Sequence, residues 1–392
     1  MLVEPMADPQ AHETFIQAEV QGRLGLITLN RPQAVNALNL GMVRDLSAAL
    51  RVWRDDAQVL AVAICGMGKD KKSAGYTPFG AFCAGGDIRF FHQAALHGDP
   101  CLADFFTEEY RLNYLLHTYP KPTLAFMDGI VMGGGMGIAQ GCSVRIVTER
   151  TRMAMPETTI GLFPDVAGGY FLSRCPGRVG EYLGLTGEPI AGSLAIAWGL
   201  ADGLIDAVQL PGVWDILART PFETGAAIEH WIGTRFSPHL DHRIGQRQHI
   251  DAAFSQPEVV DILHALAQMP GEPAWAASTL ASLRQRSPLM LHVALAQIRR
   301  GRLMGLVDNL RMERDLVHNC FHLRPGTASE TVEGIRALAI DKDQKPRWVP
   351  ASIEEVTAQE VERFFASPWP GDAHPLGGLA QEHQIPDPVP QP

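Results

Sequence analysis

One stretch limits what this chain can fold into: residues 121–173, KPTLAFMDGIVMGGGMGIAQGCSVRIVTERTRMAMPETTIGLFPDVAGGYFLS. Its short apolar runs, Thr123 to Met127 and Val144 to Val147, read as buried strands bounded by turn residues. Between them Asp128-Gly129 marks a turn, and Gly133-Gly134-Gly135 opens a small-residue segment, Met136 to Ala139. Glycines at a strand-to-helix junction leave backbone N–H groups unshielded by Cβ atoms, and the helix dipole adds partial positive charge there. Acyl transfer needs such donors for its oxyanion.

Two carboxylates follow in apolar, turn-rich settings: Glu157 in Met155-Pro156-Glu157 and Asp165 in Phe163-Pro164-Asp165. Eight residues apart, they lie about 80° out of line on an ideal helix. Gly161 and Pro164 interrupt any helix between them. They can converge only through loop geometry. Acids among apolar neighbours keep their protons to higher pH and can exchange them near neutrality. Upstream, AFCAGGDIR at 81–89 supplies a second glycine turn, with Asp87 placed to cap a following helix.

Together, MGGGMG (132–137), MPETTIGLFPDVAGGYFL (155–172) and AFCAGGDIR (81–89) resemble the crotonase (enoyl-CoA hydratase/isomerase) superfamily. Within it they resemble the 3-hydroxyisobutyryl-CoA hydrolase branch. LNRPQAVNALN at 29–39 and EGIRALAIDKD at 333–343, leading to Pro346-Arg347-Trp348, extend the likeness over about residues 14–350. The fold it implies is α/β: a crotonase-like ββα spiral core over 14–205 and a mainly helical C-terminal region over 206–350. Residues 368–392, rich in proline and glycine, are expected to form a loosely ordered tail.

The resemblance also implies roles. Gly86, before the aspartate of GGD, gives one backbone N–H to the thioester oxygen, and the middle glycine, Gly134, gives the other. Hydratases of this superfamily carry two catalytic glutamates, one three residues after the middle glycine and one in the Pro-Glu phrase. Here the first position is Gly137 and the second is Glu157. Asp165 replaces the missing acid from another direction, as in the hydroxyacyl-CoA hydrolases, where it binds the β-hydroxyl or assists proton transfer. Glu157 either attacks as a nucleophile, giving a mixed anhydride, or activates a water as general base. The pair Glu108-Glu109 reads as helix surface from its residues alone. The resemblance assigns its second member, Glu109, to the substrate pocket with Gly134, Glu157 and Asp165.

The expected activity is hydrolysis of a short 3-hydroxyacyl-CoA thioester, foremost 3-hydroxyisobutyryl-CoA from valine breakdown. No cofactor is expected beyond the coenzyme A of the substrate, and no metal. An enoyl-CoA hydratase or isomerase is the alternative. The isomerase is its stronger half, because one carboxylate suffices to shuttle a proton. A non-catalytic acyl-CoA-binding protein comes third.

Composition removes other classes. A net charge of −10 without a basic block argues against nucleic acid as partner. Lys69-Asp70-Lys71-Lys72 reads as part of a solvated surface loop over 66–80. No apolar run approaches the ~18 residues that span a membrane. The six cysteines form no CxxC pair, and the N-terminus, MLVEPMADPQAHE, has neither an apolar h-region nor an Arg-rich pattern. A reduced, cytoplasmic protein is expected. Relatives with this fold often trimerise, which leaves a homo-oligomer open. Gly135-Met136-Gly137-Ile138-Ala139 runs on to Gln140, so the dinucleotide spacing fails. Ser143 lies in GCSVR, not in a nucleophile elbow. His318 and His322 lack an acid in register for a metal. Residues 210–285 read as helical, with little chemistry.

Overall fold

The computed structural model describes residues 14–69, 75–237 and 246–381. Ten strands are present among them: β1 (Ile16–Gln21), β2 (Leu24–Leu29), β3 (Ala61–Lys69), β4 (Tyr76–Pro78), β5 (Thr123–Met127), β6 (Ile130–Met132), β7 (Val144–Val147), β8 (Arg152–Ala154), β9 (Ile190–Ala191) and β10 (Gly203–Leu204). The larger sheet runs β1-β2-β3-β5-β7-β10, with β4 added to β3. Its centre is parallel, while β1 and β4 pair antiparallel. A small sheet, β6-β8-β9, stands beside it. The helix Leu40–Asp55 connects β2 to β3, capped by Asn39, whose side chain accepts from Met42 N–H.

Alternation along the central strands separates two cores. Leu24, Leu26, Ala61, Ala63, Leu124, Phe126 and Ile146 face the helices Leu210–Arg219 and Gly225–Gly233, which bring Val213, Leu217, Ile228 and Ile232. Ile27, Leu29, Val62, Ile64, Ala125, Met127 and Val147 face the other way, into the larger core that carries the site. The segment 210–285 therefore has a packing job: its first two described helices cover the back of the sheet. A Val, Leu or Ile fully buried in this way contributes about 1.5–3 kcal/mol.

The loop expected over 66–80 is partly strand. β3 continues to Lys69 and turns back as β4, pairing Lys69 with Tyr76 and Met67 with Pro78; the polar composition hid a hairpin arm. Asp70, Lys71 and Lys72 lie outside the described residues, as do His239 and His242. Of the stretch expected to be loosely ordered, 368–392, residues up to 381 are described. There Leu376 and Leu379 are buried, and Arg111 and Arg311 donate to the carbonyls of Pro375, Leu376 and Gly377. Those bonds and two leucines anchor a segment whose composition suggested none. All six cysteines are free thiols, and five are buried. Among the described residues no helix is long and apolar enough to cross a membrane.

Candidate active site

Two glycine turns meet at the end of the parallel strands. The 81–86 turn runs beside β6, with Cys83 N–H bonded to Ile130 O and Met132 N–H to Cys83 O. Gly86 is fixed from the far side, where Leu38 N–H donates to Gly85 O and Asp87 N–H to Leu38 O. Gly85 (φ +103) and Gly133 (φ +48) adopt backbone conformations that favour glycine. Gly134 begins the helix Gly134–Gln140, so its N–H has no acceptor within the helix. A Cβ on Gly134 would stand 3.5 Å from the Gly86 nitrogen, so the two peptides are neighbours.

The carboxyls come to the same place. A cavity of about 250 Å³ is lined by Gly86, Gly134, Glu109, Glu157 and Asp165 among mainly apolar residues. Glu157 opens the turn Glu157–Ile160 directly after Pro156. Its Oε1 lies 2.8 Å from where a Gly133 Cβ would be, and its Oε2 has no partner. Glu109 belongs to the helix Cys101–His117. Its neighbour Glu108 pairs with Arg44 at the surface, while Glu109 is 2% exposed with Oε1 unpartnered. The two acids of the pair thus have opposite surroundings. Asp165 accepts a 3.0 Å hydrogen bond from the Tyr110 hydroxyl.

Among the described residues no lysine, arginine or histidine lines this cavity. Burial raises all three carboxyls: Asp165 to about 7, and Glu109 and Glu157 well above the usual carboxylate range. Negative charge on Asp165 raises both glutamates further. Three like charges in one apolar pocket cannot all ionise, so the protons leave as a set. Such a group is poised to exchange protons near neutral pH.

The sequence pointed to Glu109, Glu157, Asp165, Gly86 and Gly134, and the structure brings all five to one cavity. Gly137 stands apart. A Cβ there would lie 2.6 Å from Val166 Cβ and 2.8 Å from Asn113 Nδ2. The place where a hydratase carries its other glutamate is thus filled from both sides.

Tyr110 and Glu313 were missed. Tyr110 follows Glu109 directly in the sequence, and only its contact with Asp165 reveals its place. Glu313 lies on the helix Leu306–His322, fully buried. Its carboxyl accepts from Ala167 N–H (2.7 Å), Gly169 N–H (2.8 Å) and Gln297 Nε2 (3.0 Å). These bonds hold a turn in which Val166 (φ +54) and Ala167 (φ +68) both sit in the left-handed region, costly for a β-branched residue. Burial pushes Glu313 up to about 8, against N–H donors that favour the carboxylate. The signal was an acid inside an apolar helix stripe, Leu306, Leu310, Glu313, Val317.

Glu313→Ala is expected to leave two buried N–H groups without acceptors, at about 1–3 kcal/mol each. Denaturant unfolding reads that loss; a variant as stable as the parent would show that the turn holds itself.

The family profile described as enoyl-CoA hydratase/isomerase matches residues 24–365. The chain belongs to this family, the crotonases. Relatives carry more particular names. The chain is 37% identical over 356 residues to the mitochondrial 3-hydroxyisobutyryl-CoA hydrolase of Gallus gallus, covering 88% of this chain and 87% of that one. It is 35% identical over 369 residues to 3-hydroxyisobutyryl-CoA hydrolase 1 of Arabidopsis thaliana, covering 92% and 93%. Among solved structures, a carnitinyl-CoA dehydratase from Mycobacterium thermoresistibile superposes with a TM-score of 0.80 at 34% identity, covering 92% of this chain and 98% of that one. An enoyl-CoA hydratase from Rhodobacter sphaeroides 2.4.1 gives 0.79 at 34%, covering 91% and 98%. The α/β architecture is thus the crotonase fold. Among the described residues no group of three or more metal-ligating side chains is found, and His318 and His322 stack on each other at 3.9 Å.

Proposed function

We propose that this crotonase hydrolyses short 3-hydroxyacyl-CoA thioesters, foremost 3-hydroxyisobutyryl-CoA. The observation that carries the reading is the closed position at Gly137: Val166 and Asn113 occupy the space of a second hydratase glutamate, and Asp165 faces the cavity instead. The names of the sequence relatives support it.

In this reading the thioester oxygen accepts hydrogen bonds from the Gly86 and Gly134 N–H groups, which hold the charge of the tetrahedral intermediate. Glu157 attacks the carbonyl carbon to give a mixed anhydride that water then cleaves, freeing the carboxylate, or takes a proton from a water that attacks directly. The C–S bond breaks, the acyl group keeps a hydroxyl from water, and the sulfur leaves as thiolate. A thiol of pKa about 8.5 leaves readily near neutral pH. Asp165, oriented by Tyr110, binds the substrate β-hydroxyl, with Glu109 beside it. Coenzyme A arrives as part of the substrate, and the proposal includes no other cofactor or metal.

Free-thiol release from 3-hydroxyisobutyryl-CoA, compared between the parent and Asp165→Asn, tests the assignment. Loss of most activity supports it; parent enzyme that releases no thiol ends the hydrolase reading. The pH profile adds a sign. Glu157 acts ionised and is raised by burial and by Asp165, so activity climbs with pH at values above the ordinary carboxylate range. Removing the Asp165 charge lowers the Glu157 pKa, so the residual activity of Asp165→Asn climbs at lower pH. A limb that stays put or moves up contradicts the coupling.

A hydratase or isomerase is the second reading, favoured by the names of the two structural neighbours. Crotonyl-CoA discriminates: hydration or double-bond migration without thiol release would support it. A chain that bound acyl-CoA and turned over neither substrate would be the binding protein. The cytoplasmic placement rests on composition and the free thiols, which suit any reducing compartment. The vertebrate relatives are named mitochondrial, and localisation of the tagged full chain decides.

A further inference from the structure

A second cavity, of about 290 Å³, lies behind the catalytic one. Among the described residues the two linings share one side chain, Phe106. Its ring is buried between a ring on either side: Phe91 of the catalytic cavity at 4.9 Å and Phe321 of the second at 5.8 Å. Leu102, Phe106 and Glu109 lie on one helix, Cys101–His117. Phe106 precedes Glu109 by three residues and follows Leu102 by four, so these side chains share a face. Leu102 lines the second cavity and Glu109 the first. The face therefore passes from one space to the other, and Phe106 is the partition.

The second cavity is suited to hydrocarbon on its inner side, where Ala94, Leu102, Val317 and Phe321 meet. Nothing in the reaction outlined above uses it. The catalytic cavity, by contrast, has the Phe106 ring in its wall and three carboxyls in its lining.

We propose that Phe106 sets the acyl-chain length this protein accepts, by closing the catalytic cavity against the apolar space behind it. This rests on the reading of the cavity as an acyl-CoA site. Truncating the ring joins the two spaces and lets a longer 3-hydroxyacyl chain run into the second. Each methylene buried there favours the complex by about fourfold, the usual yield of a CH₂ taken from water.

The test compares parent, Phe106→Ala and Phe106→Leu on 3-hydroxyacyl-CoA thioesters of four to ten carbons. Thiol release and calorimetric binding are both measured, and melting curves confirm folding. The parent is expected to lose kcat/KM beyond the short chains. In Phe106→Ala the eight- to four-carbon ratio should rise by tenfold or more, with Phe106→Leu between, should the alanine variant fold poorly. Ala95→Trp, which fills the second cavity away from the catalytic groups, should cancel the gain when combined with Phe106→Ala.

Unchanged chain-length preference in both folded variants overturns the proposal while leaving the hydrolase reading intact. So does a gain that survives Ala95→Trp, because the chain would then lie elsewhere. If the parent releases no thiol from any chain length, the hydrolase reading falls. The binding series then judges Phe106 alone by the same criteria.

Discussion

Glu157→Gln is expected to lower thiol release from 3-hydroxyisobutyryl-CoA by about 10²–10⁴-fold, the usual contribution of a positioned acid or base. The amide keeps the shape of the side chain beside Gly133 but can neither attack nor take a proton. The proposed oxyanion donors are backbone groups of Gly86 and Gly134 and stay in place, so KM should change far less than kcat. Folding should not suffer. Glu157 is buried with an unpartnered oxygen and shares its pocket with two other acids. Removing its ionisable group relieves repulsion, so the variant should melt no lower than the parent. Single-turnover kinetics with a melting curve checks both statements. Activity within tenfold of the parent would remove Glu157 from the chemistry.

Gly137→Glu has the second large effect, and its sign is the informative part. Judged by motif alone, the substitution restores the glutamate pair of a hydratase and should create hydration of crotonyl-CoA. Judged by packing, it should fail. The new Cβ would stand 2.6 Å from Val166 and 2.8 Å from Asn113 Nδ2, both buried. Overpacking of this kind costs about 1–3 kcal/mol, before any penalty for a further buried carboxyl. Val166 is already held at φ +54 and adjoins Asp165, so a shift there moves the loop that carries Asp165. We expect a melting temperature lower by several degrees, loss of thiol release and no hydration of crotonyl-CoA. Appearance of hydration would show that the pocket can rearrange, and the argument from Gly137 would fall.

Much of the fold was legible because its signals are local. The strands Thr123–Met127 and Val144–Val147 have the bounds their apolar runs suggest, since turn residues close each of them. Asp87 caps its helix as a short polar side chain before an apolar-periodic segment does. The β3–β4 hairpin was illegible because its outer arm, Tyr76–Pro78, is exposed and carries no apolar alternation. The helices of 210–233 read as featureless because they contribute packing to the back of the sheet, and packing partners are not written in the helix that lacks chemistry.

By itself the sequence determined the chemical inventory: two glycine turns with free peptide groups, an acid after Pro156, another after Pro164, and no acid at 137. Tertiary structure alone decided how that inventory meets. It split Glu108 from Glu109, sending one to Arg44 and the other into the cavity. It set Tyr110 on Asp165 across 55 positions, and Glu313 under Ala167 across 146. It filled the space at Gly137 and placed Phe106 between two cavities. The reason is physical: hydrogen bonds and burial act through space, and a carboxyl acquires its pKa from what surrounds it rather than from its neighbours in the chain.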